Sequence, residues 1–209
     1  MADRGIIFSA PMVRALLDGR KTQTRRISKV RKGLTLGQIV GAGEEVPGGY
    51  QVTREMLAPM PYAVGDRLYV REAFRATALF ESVPPRDITA GTPLQYCADQ
   101  TDLPWGTRYR HARFMPRWAS RLTLIVESVR VERVADISEN DCYCEGLERP
   151  TGPSFGSDVT ARDNARNWYR NLWNSLHNAP GERWEDNPWV VAIGFRVIRA
   201  NIDQIAEAA

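Results

Sequence analysis

Residues 19–26 are Gly-Arg-Lys-Thr-Gln-Thr-Arg-Arg, and this basic stretch carries most of the information about the fold of the chain. Before it come a short apolar run at 6–8, which predicts a strand, and a segment at 11–17 whose apolar residues recur at helical spacing. Gly19 is of the type that commonly ends a helix. The basic stretch is therefore predicted to begin just beyond a helix C-terminus, where the helix dipole favours cations.

Positive charge is concentrated in two segments. The formal net charge is only +3, yet residues 14–33 hold eight Lys or Arg and one acid, and residues 105–121 hold five Arg and no acid. Together they contain 13 of the 28 basic residues and one of the 25 acidic residues. This segregation favours a polyanion-binding face on an otherwise acidic protein. The alternative is that the two segments are solvated basic loops.

Strand patterns outnumber helix patterns along the 209 residues. Strands are predicted at 64–72, 122–131 and 189–198, and helices at 138–146 and around Trp168, Leu172, Trp173 and Leu176. Gly- and Pro-rich insertions are predicted near 33–60, 81–107 and 149–163. Because regular βαβ alternation is missing, the pattern favours an α+β fold with a small mixed β-barrel, in a single domain over 1–209.

Composition restricts the class of protein. Hydrophobic residues make up 43% and charged residues 25%, as in ordinary globular proteins. The longest apolar runs, such as 189–193, are too short to cross a bilayer, so no membrane partner is expected. With three cysteines and no signal region, a cytoplasmic location is predicted. No metal site or cofactor is predicted, because Cys142 and Cys144 lack a second ligand pair and no phosphate-binding glycine motif is present.

The basic stretch resembles the signature of the ASCH family in the PUA-like superfamily, which is spaced G-x-K-x-x-E-x-R. Gly19, Lys21 and Arg26 fit this signature, and Thr24 stands where Glu is usual. Other segments are similar to the longer ASCH proteins of bacteriophages and prophages: 64–72, 115–121, 137–146 and 186–190. The resemblance implies a PUA-like β-barrel with flanking helices, located in the host cytoplasm if phage-encoded. It also implies that RNA, single-stranded nucleic acid or a modified nucleoside is bound in a basic cleft.

The charge pattern and the resemblance together predict the ligand-binding residues: Arg20, Arg25, Arg26, Tyr69, Arg71, Glu72, Arg117, Trp118 and Arg121. Trp118 is flanked by arginines, so it is placed to stack on a base while the guanidinium groups meet phosphate or base edges. The alternative for this residue is a core tryptophan capped by arginines.

One branch of the family has the form G-x-K-x-x-T-x-R and resembles metal-independent amidohydrolases that remove the acyl group from N(4)-acetylcytidine. By this resemblance the catalytic residues are Lys21, Thr24 and Glu145, with Glu139 as the alternative to Glu145. A threonine hydroxyl is inert at pH 7, so Lys21 has to act as a base. This role requires its pKa to fall from about 10.4 toward roughly 7–8, which burial and neighbouring arginines favour.

Two functions from different classes therefore remain open. The first is a module that binds RNA or other single-stranded nucleic acid. The second is an amidohydrolase for an acylated nucleoside, in which Glu145 either donates a proton to the departing amine or orients Lys21.

Overall fold

A computed structural model describes residues 2–27, 44–46, 49–51, 62–99, 108–149 and 158–205. The regular elements within these ranges are nine strands and three helices: β1 (Asp3–Ile7), α1 (Ala10–Leu17), β2 (Gln23–Ile27), β3 (Glu44–Val46), β4 (Gly49–Gln51), β5 (Arg67–Arg71), β6 (Phe74–Ala76), β7 (Leu94–Tyr96), β8 (Thr123–Arg133), α2 (Glu139–Cys144), α3 (Asp158–Leu176) and β9 (Trp189–Ile198). They fall into two units. The first comprises the described residues of Met1–Gly19, Gly65–Ile125 and Arg196–Ala209, and the second those of Arg20–Val64 and Val126–Phe195.

The first unit is organised around β5. Strand β1 runs parallel to it, with Ile6 opposite Val70, and the start of β8 runs antiparallel to it, with Leu124 opposite Leu68. Strands β6 and β7 form a separate antiparallel pair. Side chains of the β6–β7 region share one buried cluster: Phe74, Ala76, Ile88, Met115 and Ala119. The alternation of buried and half-buried residues along β5 is the pattern that its sequence predicts.

The second unit contains the basic stretch. Strand β2 pairs antiparallel with β9, so that Thr24 lies opposite Ile193, and the β3–β4 hairpin joins β8 through Tyr50 opposite Val131. Helices α2 and α3 pack on each other, and α2 also packs on β2. The core of this unit is made by α2, α3 and the strand ends beside them: Val134, Ile137, Cys142, Ala165, Tyr169, Trp173 and Val190.

The predicted α+β class is confirmed, since the strands are mostly antiparallel and helices flank them. Strand β8 is continuous, whereas its sequence was also compatible with a bend near Ser128. The insertions predicted near 33–60, 81–107 and 149–163 lie partly outside the described residues, and the single domain stays a prediction. No helix among the described residues has both the length and the apolar character needed to cross a membrane.

Helix α1 ends as its sequence predicts. Asp18 caps it, and Gly19 follows with a φ of 73°, in the left-handed region. The Gly19 N–H donates to the Leu16 carbonyl at 3.1 Å. A side chain at this position would find open space, so only the backbone conformation restricts it.

We therefore expect Gly19→Ala to lower the free energy of unfolding by about 1 kcal/mol, because alanine pays the left-handed penalty that glycine avoids. Gly19→Asn should lose less, since asparagine tolerates this region better. Urea denaturation of the three proteins measures both effects. Equal stability of the alanine and asparagine variants would contradict this account of the helix end.

Candidate functional site

Strand β2 and the residue two positions before it bring polar side chains into the interior of the second unit. Lys21, Gln23, Thr24 and Arg25 are all buried, whereas Arg26 is partly exposed. Burying this many polar groups is costly unless each finds a partner. The arrangement is therefore the opposite of a solvated basic loop.

Lys21 is held against the end of α2. Its side chain is 2% exposed, and its Nζ donates to Glu145 Oε2 at 2.7 Å and to the Glu145 carbonyl at 2.9 Å. The neighbouring backbone sets this position, since the Thr22 N–H donates to the Cys144 carbonyl and the Phe195 N–H donates to the Thr22 carbonyl, both at 2.9 Å. The ammonium thus also satisfies a carbonyl at a helix C-terminus, where cations are favoured.

The start of α2 is set by residues close to it in the sequence, and the position of Glu145 at its other end follows from this. The Ser138 hydroxyl accepts from the Asp141 N–H at 3.1 Å, and the Asp141 carboxylate accepts in return from the Ser138 N–H at 3.4 Å. This capping box starts the helix where it was predicted to start. Glu145 occupies the C-cap, and Gly146 follows with a φ of 112°.

The structure distinguishes the two candidate acids on α2. Glu145 is 3% exposed and bonded to Lys21. Glu139, in the first turn, is partly exposed and accepts a hydrogen bond from the Tyr143 hydroxyl at 3.2 Å. Among the described contacts, the lysine therefore pairs with Glu145 rather than Glu139.

Arg25 is enclosed by acidic side chains. Its side chain is 0% exposed, and its Nε donates to Glu132 Oε1 at 2.6 Å. One terminal nitrogen donates to Glu145 Oε1 at 3.1 Å, and the other lies 3.1 Å from Asp141 Oδ2 without hydrogen-bond geometry. The guanidinium carbon is also 5.8 Å from the centre of the Tyr169 ring. Arg25 is thus a buried hub, by which we mean one side chain that contacts several acidic residues. Its guanidinium is surrounded by these partners within the protein.

Burial and charge act in opposite directions on the groups around this hub. Burial disfavours the charged form of Arg25, but the carboxylates, Glu145 first, raise its pKa above the ordinary value. Burial raises the pKa of Glu132 despite Arg25. For Asp141, burial alone would raise the pKa, but Arg25 and the Ser138 hydroxyl lower it below its usual range.

The pKa of Lys21 is lowered, as the catalytic hypothesis requires. Burial is the largest cause, and the positive charges of Arg26 and Arg25 add to it. Glu145 acts in the other direction, because its charge and its hydrogen bond favour the ammonium. The net direction is toward the neutral amine.

Thr24 is 4% exposed and lies one residue before Arg25. Because side chains alternate along a strand, the side chain of Thr24 lies on the face of β2 opposite that of Arg25. The structure thus brings Lys21 and Glu145 into contact and places Thr24 among the buried residues of β2.

The other predicted ligand-binding residues of the second unit, Arg20 and Arg26, are partly exposed. Arg20 donates to the Gly146 carbonyl at 2.6 Å and lies 3.8 Å from a carboxylate oxygen of the exposed Glu148. Arg26 is near enough to lower the pKa values of Lys21 and His177, although burial is the larger cause for both.

The remaining predicted residues lie in the first unit, where most of their polar groups are paired within the protein. Arg117 Nη2 lies 2.7 Å from Asp3 Oδ2 and 2.5 Å from Asp203 Oδ1. Its guanidinium carbon is 5.7 Å from the centre of the Tyr69 ring. A guanidinium nitrogen of Arg71 donates to the Arg113 carbonyl.

Arg121 and Glu72 form a second paired group in this unit. Arg121 Nε donates to the buried Glu72 at 2.8 Å, and its Nη2 donates to Asp99 at 2.7 Å. Burial raises the pKa of Glu72, although Arg121 opposes this rise. The half-buried Trp118 packs against the apolar cluster, as its core alternative expected.

The sequence analysis missed Glu132, Asp141 and a cavity on α3. The cavity has a volume of about 360 Å³ and is lined by Arg166, Asn167, Arg170 and Trp184. Two arginines four residues apart on a helix share a face, which was a usable signal. The described residues contain no cluster of His, Cys, Asp or Glu able to hold a metal ion.

We expect Arg25→Met to lower the free energy of unfolding by about 3–5 kcal/mol, because it leaves buried carboxylates without their counter-charge. The matched control is Arg86→Met. Arg86 is 86% exposed and lies 3.6 Å from Asp87, so this change should leave stability unaltered. Chemical denaturation measures both variants, and equal effects would contradict the role of Arg25 as a buried hub.

Comparisons with known proteins give one structural similarity. No family model matches the chain, and no curated protein sequence is similar to it. The chain is similar to the high-resolution crystal structure of an ASCH domain from Lactobacillus crispatus JV V101, with 10% identity and a TM-score of 0.37. The match covers 94% of this chain and 79% of that chain.

Proposed function

We propose that this chain is a nucleoside- or nucleic-acid-binding protein of the ASCH type, of phage or prophage kind, and that it hydrolyses an acylated nucleoside such as N(4)-acetylcytidine. The observation that carries the proposal is the 2.7 Å contact between Lys21 Nζ and Glu145 Oε2 in the interior of the second unit.

This contact supports the proposal because its two residues were assigned from separate segments. Lys21 comes from the basic stretch and Glu145 from the end of α2, 124 residues later. Buried lysines and glutamates are rare unless they are paired, and perturbed ionisable pairs cluster at functional sites.

In the proposed reaction, one water and one N(4)-acyl bond are consumed, and cytidine and a carboxylic acid are released. The neutral amine of Lys21 takes the proton of the attacking hydroxyl. The C–N bond of the tetrahedral intermediate then breaks, and the departing amine receives this proton from the Lys21 ammonium, directly or through Glu145. No net proton is gained or lost by the lysine over the cycle.

Glu145 acts as the positioning group for Lys21. One of its carboxyl oxygens accepts from Lys21 and the other accepts from Arg25, so its orientation is determined on both sides. Arg25 and Arg26 supply the positive field that favours the neutral lysine and stabilises a developing oxyanion.

Thr24 belongs to the proposed set through the resemblance alone, as the threonine of the G-x-K-x-x-T-x-R form. Its role is either to attack the acyl carbon, giving an acyl-threonine that water then hydrolyses, or to hold the attacking water. Accumulation of an acylated protein on rapid quenching, read by mass spectrometry, distinguishes the first role from the second.

The purified protein should convert N(4)-acetylcytidine to cytidine without added metal. Lys21→Met should lower kcat/KM by about 10²–10⁴-fold, the usual contribution of a positioned base. Glu145→Gln should also lower it, since an amide cannot take up and pass on the proton between Lys21 and the departing amine. Liquid chromatography of the two nucleosides gives the rates.

Glu139→Gln is the matched control for this experiment, since Glu139 lies on the same short helix and accepts its described hydrogen bond from Tyr143. It should keep the parent rate. Loss of activity in this variant and retention in Glu145→Gln would overturn the assignment. Retention in both Lys21→Met and Thr24→Ala would refute the hydrolase.

The pH profile of kcat/KM tests the lowered pKa of Lys21. A protonated lysine accepts no proton, so the rate should rise as pH increases through the pKa of the folded state. Because that pKa is lowered, the midpoint of the rise should lie below about 10.4, the ordinary lysine value. A rise centred at or above that value would contradict a neutral Lys21 acting as the base.

A further inference from the structure

We propose that residues Arg108–Phe114 of the first unit form a contact surface for single-stranded nucleic acid, with Tyr109 and Phe114 stacking on bases and Arg108 and Arg113 meeting phosphates. We call it the 108–114 surface. It deepens the nucleic-acid-binding part of the proposed function and rests on it, but it uses none of the residues of the Lys21–Glu145 site.

The 108–114 surface is anchored by Arg110. The backbone of Arg110 forms a bridge with Phe74, through N–H···O contacts of 2.9 and 3.1 Å in the two directions. Its guanidinium donates to the Phe80 carbonyl at 2.6 Å and is also bonded to the Glu81 carbonyl. Because both its backbone and its guanidinium are hydrogen-bonded, Arg110 fixes the backbone on either side of it.

Residues around this anchor alternate between the interior and solvent. Ala112 and Met115 are buried. Tyr109 and Phe114 are each 54% exposed, and His111 is exposed between them. The His111 Nδ1 accepts from the Arg113 N–H at 3.1 Å, which stabilises the turn that presents Phe114. Two aromatic rings are thus held at the surface by an ordered backbone.

The charge of the surface remains available to a ligand. Residues 105–121 hold five arginines, of which Arg117 and Arg121 pair with acids and Arg110 donates to carbonyls. Arg108 and Arg113 are exposed, and neither forms an ion pair with an acid among the described residues. The guanidinium carbon of Arg113 lies 5.4 Å from the centre of the Phe114 ring, so a cation and a ring are presented together.

These features suit a single strand better than a duplex. A flat aromatic ring binds bases whose faces are open, and each stacked base contributes enough to be detected by alanine substitution. In a duplex the base faces are covered by their neighbours, and only the phosphates would remain as partners. Exposed rings interleaved with arginines are therefore predicted to prefer unpaired strands.

Fluorescence anisotropy with labelled oligo(U) RNA and oligo(dT) DNA of about 12 nucleotides tests the proposal. Tyr109→Ala and Phe114→Ala should each weaken binding about five-fold or more, the effect expected for one lost stacking contact. Arg113→Gln should weaken binding and make the dependence of log Kd on log salt concentration shallower by about 0.7. Binding of either strand supports the proposal, and the ratio of the two affinities gives the preferred sugar.

Two variants of the first unit serve as matched controls. Leu79→Ala removes an apolar side chain that is 87% exposed, and Arg86→Gln removes a charge that is 86% exposed. Both should bind as the parent does. Undetectable binding by the parent, equal affinity for a duplex of the same length, or parent-like affinity in both aromatic variants would overturn the proposal. Melting temperatures of all variants confirm that the compared proteins are folded.

The outcome is separable from that of the proposed hydrolase. Lys21→Met should lower turnover by the factor given above and keep the affinity for the oligonucleotide. Tyr109→Ala and Phe114→Ala should lose affinity for the strand and keep turnover of free N(4)-acetylcytidine. Loss of strand affinity in Lys21→Met together with parent-like affinity in Tyr109→Ala and Phe114→Ala would refute the 108–114 surface. Turnover of free N(4)-acetylcytidine would still decide separately whether the chain is a hydrolase.

Discussion

The second unit depends on the burial of one charged group, the guanidinium of Arg25. Arg25 sits on β2, and its partners come from β8 and α2, so one side chain ties three elements together. A buried charge is tolerated only when its partners are in place, and removing one partner costs more than the pair contributes. The register of β2 and the position of α2 are therefore set by electrostatics as well as by apolar packing.

The same constraint shapes the candidate site. Glu145 is shared between Arg25 and Lys21, so the hub that holds the unit together also orients the acid beside the lysine. This sharing explains how a lysine can be buried and still lean toward its neutral form: the nearest carboxylate already serves another cation. Stability and the proposed chemistry use one hydrogen-bond network, and substitutions there are expected to affect both.

Features set by nearby residues were predictable from the sequence, whereas those set by distant partners were not. Gly19 and the Ser138 cap act within a few residues, so both helix ends were predicted. The pairing of Lys21 with Glu145 followed from a resemblance to a known family. The burial of Arg25 did not, because a basic run gives no sign of carboxylates more than a hundred residues away. The pairing of Arg117 with Asp203, 86 residues later, was hidden for the same reason.

The long separation between Lys21 and Glu145 has a consequence for synthesis on the ribosome. The cationic segment emerges first, and every carboxylate that neutralises Arg25 is translated more than a hundred residues afterwards. Until those acids have been synthesised, Lys21 and Arg25 cannot be buried, so the β2 segment stays hydrated while the chain grows. Non-local closure of this kind is slow, so the interior of the second unit is completed only after both segments have been synthesised.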